Sequence, residues 1–430
     1  MLKQNEINMD EHLLQHIWQH QLYNQYNMQT TQGARVEVIS HGILNTNAGP
    51  DFFNAQIMIG NIKWYGCIEI HKKSSDWNVH KHSEDKLYNS VVLHVVAEYD
   101  CDIVNSTGTV IPTLVLDFNQ KIAKNYMQLT ESKRWIACED HFNIIDPLLL
   151  SMWTESLAIE RIERKSENIL KMIDETQSNY NEVFYRLLSI NLGFKTNAEP
   201  FEMVSRLLPL KIIRKFADNI IRVEAALFGQ AGFLEHSTVD EYHARLKQEF
   251  GMLKHRFSLS PIDVSIWKFF RMRPSNFPPQ RIAQLASIIV QGADLIGLLL
   301  SANNLTELIS YFKNPVSDYW KNHVNFGKKS KKSYLCIGKE SINNIFINTV
   351  VPFAFVYGIK YGDQKLKDKA LSWLENIEAE NNSALRKWQT IGANIENAKQ
   401  SQAFLELKNE YCANKKCLQC RIGSRIVAEV

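Results

Sequence analysis

Strand-like patterning in this chain stops near Phe118, and helical periodicity replaces it for the rest of the sequence. Period-two alternation suits one face of a sheet, whereas apolar residues three and four apart suit one stripe of a helix. "ARVEVISHG", "AQIMIG" and "KWYGCIEIHKK" read as three strands, the last two joined by Gly60-Asn61, a tight hairpin signal. Ahead of them, residues 10–27 place Leu13, Leu14, Ile17 and Leu22 near helical spacing, with Asp10 available as an N-cap. "SEDKLYNS" is short and helix-compatible, and "VVLHVVAEYD" is apolar enough for a buried strand. "GTVIPTLVLDF" adds a further strand after a turn at Asn105–Gly108. Beyond about residue 120, segments such as "LLLSMWTESLAIERIERKSENILKMI" and "YNEVFYRLLSINLG" are amphipathic helices, and no fixed-period repeat supports a solenoid. The chain reads as α+β, with a β-rich domain over residues 1–125 and a mostly α-helical domain over residues 126–430.

Composition narrows the partners. At 45% hydrophobic and 22% charged residues, the chain is an ordinary folded protein rather than a disordered one. A net charge of +3 permits nucleic-acid binding without demanding it. Lys328, Lys329, Lys331 and Lys332 form a basic run that reads as a solvated loop. The start has no apolar signal region, and stretches such as "IVQGADLIGLLLSA" are interrupted by polar residues, so no membrane span is expected. Seven cysteines lack the density of a disulfide scaffold, and a reducing cytoplasm is the simplest compartment.

Candidate chemistry gathers between Asn45 and Val96. Glu69 and His71 are two apart on a strand and share a face. A hairpin through Gly60-Asn61 brings the start of one strand beside the end of the next, which puts Asp51 near Glu69. Hard carboxylate oxygens suit Mg²⁺ or Mn²⁺. His80 and His82, with Asp76 before them and His71 on the preceding strand, offer a competing set for Zn²⁺. Asp85 adds a further carboxylate. His94, inside "VVLHVV", reads as a core or supporting residue, and Trp77 and Tyr88 as core packing.

The order helix, three strands, helix, strand, with Pro50-Asp51 before one strand and Glu69-Ile70-His71 late in the next, resembles the PD-(D/E)xK nuclease superfamily. That resemblance implies a restriction-endonuclease-like αβββαβ domain that cleaves DNA or RNA with Mg²⁺ or Mn²⁺. Asp51 and Glu69 would hold the metal, and His71 stands where the family has Lys. Glu11 would add a carboxylate from the first helix, Asn45, Asn47 and Gly49 would shape the substrate-facing loop before Asp51, and Arg271 and Arg273 would contact phosphates. Two alternatives remain, a non-catalytic nucleic-acid or protein-binding module on the same fold and a zinc hydrolase using His71, His80 and His82.

Near the end of the chain, Cys412, Cys417 and Cys420 crowd three thiols into nine residues. Such spacing suits Zn²⁺ or an iron–sulfur cluster, with Cys138 as the expected fourth ligand. Cys67, Cys101 and Cys336 read as packing residues. A distant cysteine plus a C-terminal trio resembles the iron–sulfur staple of some repair and CRISPR-adaptation nucleases. "NAGPDF", "EIHKKSSDW", "LHVV", "EAALFGQAGFL", "MRPSNFPPQRIAQLA" and "YCANKKCLQCRIG" together resemble an uncharacterised bacterial family known only as a domain of unknown function. That resemblance implies a bacterial cytoplasmic protein and carries no activity with it.

Overall fold

The computed structural model describes residues 10–291, 295–302 and 304–429. The N-terminal residues read as lacking a signal segment, and residues 292–294 of "IVQGADLIGLLLSA", lie outside the described residues. The chain is a mixed α+β protein, with a mixed sheet in its N-terminal part followed by a mostly helical region. It divides into two compact units, one formed by residues up to Trp153 together with those from Leu407 onward, the other by Thr154–Glu406. The boundary expected near residue 125 thus falls inside the first unit, because the end of the chain returns to it. Asn125 donates to the carbonyls of Ile426 (3.2 Å) and Glu429 (2.8 Å).

The first unit starts with α1 (Glu11–Gln19), capped by the Asp10 carboxylate on the Leu13 amide. Helix was expected to residue 27 but ends at Gln19, where Gln21 takes a left-handed conformation. Leu13, Leu14, Ile17 and Trp18 are buried along its apolar face. Six strands follow: β1 (Val36–Ser40), β2 (Ile43–Leu44), β3 (Phe52–Ile59), β4 (Ile62–Lys73), β5 (Val91–Glu98) and β6 (Thr113–Val115). The sheet runs β1-β3-β4-β5-β6, with β2 beside the start of β3. β1, β3 and β4 are antiparallel neighbours, whereas β5 lies parallel to β4 and β6 parallel to β5.

Gly60, at φ +60°, turns β3 into β4, and Ile59 pairs with Ile62. Further along the hairpin, Phe52 pairs with Ile68 but Ala55 with Gly66, so β3 carries one extra residue. Asn54, at φ +58°, takes up this bulge, in a left-handed conformation that Asn tolerates better than most residues. Toward the C-terminal end of β4 both faces are buried, Ile68 and Ile70 on one and Glu69 and His71 on the other. A polar pair in that position must find partners.

The parallel crossover from β4 to β5 differs from expectation. The expected helix over "SEDKLYNS" is instead a 3₁₀ turn at Lys86–Ser90 capped by Asp85, and the α-helical turn comes earlier, as α2 (Asp76–Val79). Hydrogen bonds from Ser74 and Ser75 to the Asp100 carboxylate fix this path (2.7–2.8 Å). Trp77 is fully buried and packs with Val91, Ile103 and Ile111. Gly66 lets the crossover meet the sheet, since a Cβ there would lie 2.4 Å from Val92 Cγ1 and 2.5 Å from the Ser90 carbonyl oxygen. Gly66→Ala is expected to destabilise the protein by about 3 kcal/mol, as overpacking against a backbone atom does. A urea midpoint close to wild type would show that the strands part without cost.

The second unit is helical around one continuous apolar core that includes Phe184, Phe228, Trp320 and Phe353. Lys328 and Lys329, expected in a loop, form a short exposed strand paired with His323–Asn325. Among the described residues, one helical stretch, Lys339–Tyr361, is long and apolar enough to cross a membrane by length and composition. Of its most apolar window, 72% is buried inside the protein.

Candidate functional site

Asp51 sits immediately before β3 and Glu69 near the end of β4, and the hairpin brings them together. The Asp51 amide donates to Glu69 Oε2 (3.0 Å), and the Ile70 amide donates to Asp51 Oδ2 (2.9 Å). Gln15, from α1, donates to Asp51 Oδ1 (2.8 Å). Gln15 was not singled out in the sequence, although it follows Glu11 by one helical turn on the same face. Upstream, Asn45 donates to the carbonyls of Ala48 and Pro50, accepts from the Asn47 amide, and gives its own amide to the Asp51 carbonyl. Its side chain is thus used in shaping the loop, while Asn47 is exposed.

Beside the carboxylates lies a cluster of imidazoles. His71 is held on β4, His94 on β5, and His80 and His82 come from the crossover just after α2. The ligand nitrogens of His71, His80 and His82 all lie within 4.8 Å of one another. Glu69 Oε1 is 3.5 Å from His71 Nε2 and 3.3 Å from His82 Nε2. His71 Nδ1 lies 2.8 Å from His94 Nε2, and His71 Nε2 lies 3.1 Å from His80 Nδ1. His82 stacks on Tyr88 with ring centroids 3.7 Å apart, and Trp77 is edge-on to His71, His82 and His94. Tyr88 and Trp77 therefore wall the imidazoles as well as filling the core.

Burial governs the protonation states. It drives His71 down to about 2, helped by neighbouring His94, His82 and His80, and His94 down to about 3, helped by His82. Glu69 is pushed up to about 8, mainly by burial, against the pull of the Asp51 amide. Asp51 rises to about 7 through burial and then the Glu69 charge, against the hydrogen bonds from Ile70 and Gln15. Glu11 is also raised, first by burial and partly offset by the charge of His80. At neutral pH the contact between His71 and Glu69 thus joins two neutral groups rather than an ion pair. Neutral imidazole is the ligand form. His82 Nε2 is buried with no hydrogen-bond partner, although it faces Glu69.

Other residues singled out in the sequence are engaged elsewhere. Asp76 accepts the Lys73 amide (2.9 Å), and Asp85 accepts the Leu87 amide (2.9 Å), so both fix the crossover. Arg271 and Arg273 are exposed in the second unit, Arg271 lying over the Phe270 ring. Cys138, Cys412, Cys417 and Cys420 line one pocket in the first unit. Burial and the neighbouring cysteines push Cys138 up to about 12 and Cys417 up to about 11, and Cys412 rises for the same reasons.

Residues 11–383 match the model of a family described as a protein of unknown function, DUF2851. No curated protein and no solved structure matches the chain.

Proposed function

Because the chain belongs to the DUF2851 family, whose function is not established, its activity has to be read from its site, and we propose that it is a metal-dependent hydrolase of nucleic-acid phosphodiesters. The observation that carries this reading is the convergence of His71, His80 and His82 beside buried Glu69. Three imidazoles and one carboxylate favour a borderline cation such as Zn²⁺ or Mn²⁺ over Mg²⁺, which prefers oxygen. A metal there would supply a Lewis acid and an acidified water. Glu69 would contribute negative charge to it, and His94 would hold His71 so that its Nε2 lone pair faces the ion. Asp51, raised toward neutrality, is suited to accept the proton of an attacking water, and Gln15 positions it. The phosphodiester class rests on the order of elements and on Asp51 and Glu69 standing at strand positions similar to those of PD-(D/E)xK nucleases. His71 replaces the family's Lys, which again shifts the weight from a fixed positive charge to the metal.

The test is cleavage of single- and double-stranded DNA and RNA by purified protein with Mn²⁺, Zn²⁺ or Mg²⁺, alongside elemental analysis. Cleavage with Mn²⁺ or Zn²⁺ that EDTA abolishes is expected. Tight binding of nucleic acid without cleavage under any metal would replace the hydrolase with a binding module.

Metal-free protein should also carry a pH signature. Raised carboxyls make the folded state bind more protons than the unfolded chain between their ordinary values, 3.8 and 4.5, and about 7–8, so they lower stability as pH rises through that window. His71 and His94 act oppositely, because the unfolded chain binds their protons as pH falls through 6.5, and their effect fades out between pH 6.5 and about 7.5. Across the window as a whole the larger carboxyl effect sets the sign. Stability of the EDTA-treated protein is expected to fall by about 1–2 kcal/mol between pH 6.5 and 8, at up to about 1.4 kcal/mol per proton and pH unit. Saturating Mn²⁺ should flatten the slope. A metal-free profile already flat in urea melts would remove the buried-carboxyl account.

A further inference from the structure

The cysteines that line one pocket come from three short pieces of chain. Cys138 caps the 3₁₀ segment Glu139–Ile144, Cys412 ends the π-helical turn Leu407–Cys412, and Cys420 caps the final helix Arg421–Ala428, with Cys417 in the turn between them. The pocket they share with Ala137, Tyr411, Lys416 and Gly423 is small and open on one side, with a cavity volume of about 20 Å³. Two features build the turn for this role. The Cys420 amide donates to the carbonyls of Lys416 (3.1 Å) and Cys417 (3.3 Å). Gly423 is required where it stands, since a Cβ would lie 2.3 Å from the Cys417 carbonyl oxygen. The pieces are also joined outside the thiols. Lys408 reaches the Trp135 carbonyl (2.5 Å) and covers its ring, and Lys415 reaches the Thr130 carbonyl.

Sulfur spacing discriminates between guests. A tetrahedral Zn²⁺ with Zn–S of about 2.3 Å needs all four sulfurs about 3.8 Å apart. Among the described residues, the group of candidate ligand atoms found within 4.8 Å of one another is the histidine set, which does not include these sulfurs. A cubane cluster holds its four thiolates about 6–7 Å apart, at the corners of a larger tetrahedron. Lys408 near Cys412 and Lys415 near Cys417 supply positive charge beside what would be an anionic group. Four of the seven cysteines of the chain around one pocket is more than ordinary packing of a small apolar residue calls for.

We infer that Cys138, Cys412, Cys417 and Cys420 hold an iron–sulfur cluster that ties the returning C-terminal segment to residues 130–144. Each thiol gives up its proton as its sulfur binds iron, so loading releases protons and stabilises the joined state. These residues are separate from the histidine and carboxylate set, and the inference stands or falls independently of the hydrolase reading.

The test uses the full chain purified without oxygen. A brown protein absorbing near 400 nm is expected, with about four iron and about four acid-labile sulfide per chain. Cys417→Ser should lose most of that iron, and Cys336→Ser, whose cysteine lies in the other unit, should keep it. Removing the cluster should raise hydrogen exchange in Arg421–Ala428 at least tenfold. Stoichiometric zinc without sulfide would overturn the inference, and so would equal iron in the two variants. If Cys417→Ser fails to fold, anaerobic reconstitution of the metal-stripped wild-type chain with iron and sulfide decides. Folded protein that takes up neither would overturn the inference as well.

Discussion

Glu69→Gln is expected to lower metal-dependent cleavage by about 10³-fold while making the metal-free protein more stable at pH 8. The substitution keeps the size of the side chain and a carbonyl to accept the Asp51 amide, but removes the charge that would draw a cation toward His71 and His82. That charge is costly when nothing neutralises it, since burial pushes Glu69 up to about 8. At pH 8 the variant should therefore gain about 1 kcal/mol in urea denaturation without metal, and should lose the stabilisation that Mn²⁺ gives the wild type. Opposite changes in activity and stability separate a functional carboxylate from a structural one. A variant that cleaves as well as wild type would remove Glu69 from the site, and one that is less stable would make its role structural.

Trp77→Ala should have the largest effect on folding, about 3–5 kcal/mol. Its indole is fully buried, donates to the Val104 carbonyl (3.0 Å), packs with Val91, Ile103 and Ile111, and stands edge-on to three of the imidazoles. Truncation leaves a cavity beneath the crossover that carries His80 and His82, so metal affinity should fall along with stability. Trp77→Phe, which keeps an aromatic wall and loses the hydrogen bond, should cost less than half as much. Urea denaturation of both variants, with Mn²⁺ titrated into each, measures the two effects. An Ala variant within 1 kcal/mol of wild type would mean that the crossover is anchored elsewhere.

What could be read in the sequence was local. Gly60-Asn61 and the strands around it specify a hairpin, and a hairpin of that length brings Asp51 to the level of Glu69 and Ile70, while the bulge at Asn54, which sets the final register, was not legible. Side-chain alternation then puts Glu69 and His71 on one face. The crossover between Lys73 and Val91 was not legible, because its path is set by Asp100 and Val104, residues that come after the strand it leads to. Gln15 escaped notice because a polar residue on an amphipathic helix ordinarily faces water. Residues 10–27 have helical spacing to their end, yet the helix stops at Gln19, where the backbone at Gln21 turns left-handed. The pairing of Asn125 with Ile426 spans 301 residues, a separation at which no pattern in a single sequence speaks.

The first unit is built from both ends of the chain, and this sets an order of events during translation. The sheet and its helices emerge from the ribosome early, but Leu407 and the residues that pack behind it come only after the whole of Thr154–Glu406 has been made. At about 5–20 residues per second the delay is tens of seconds. Throughout that time the thiol of Cys138 and the surface awaiting the final helix stand without their covering. A nascent chain stalled before Leu407 should therefore engage general chaperones through its N-terminal part, and release from them should coincide with synthesis of the last few dozen residues.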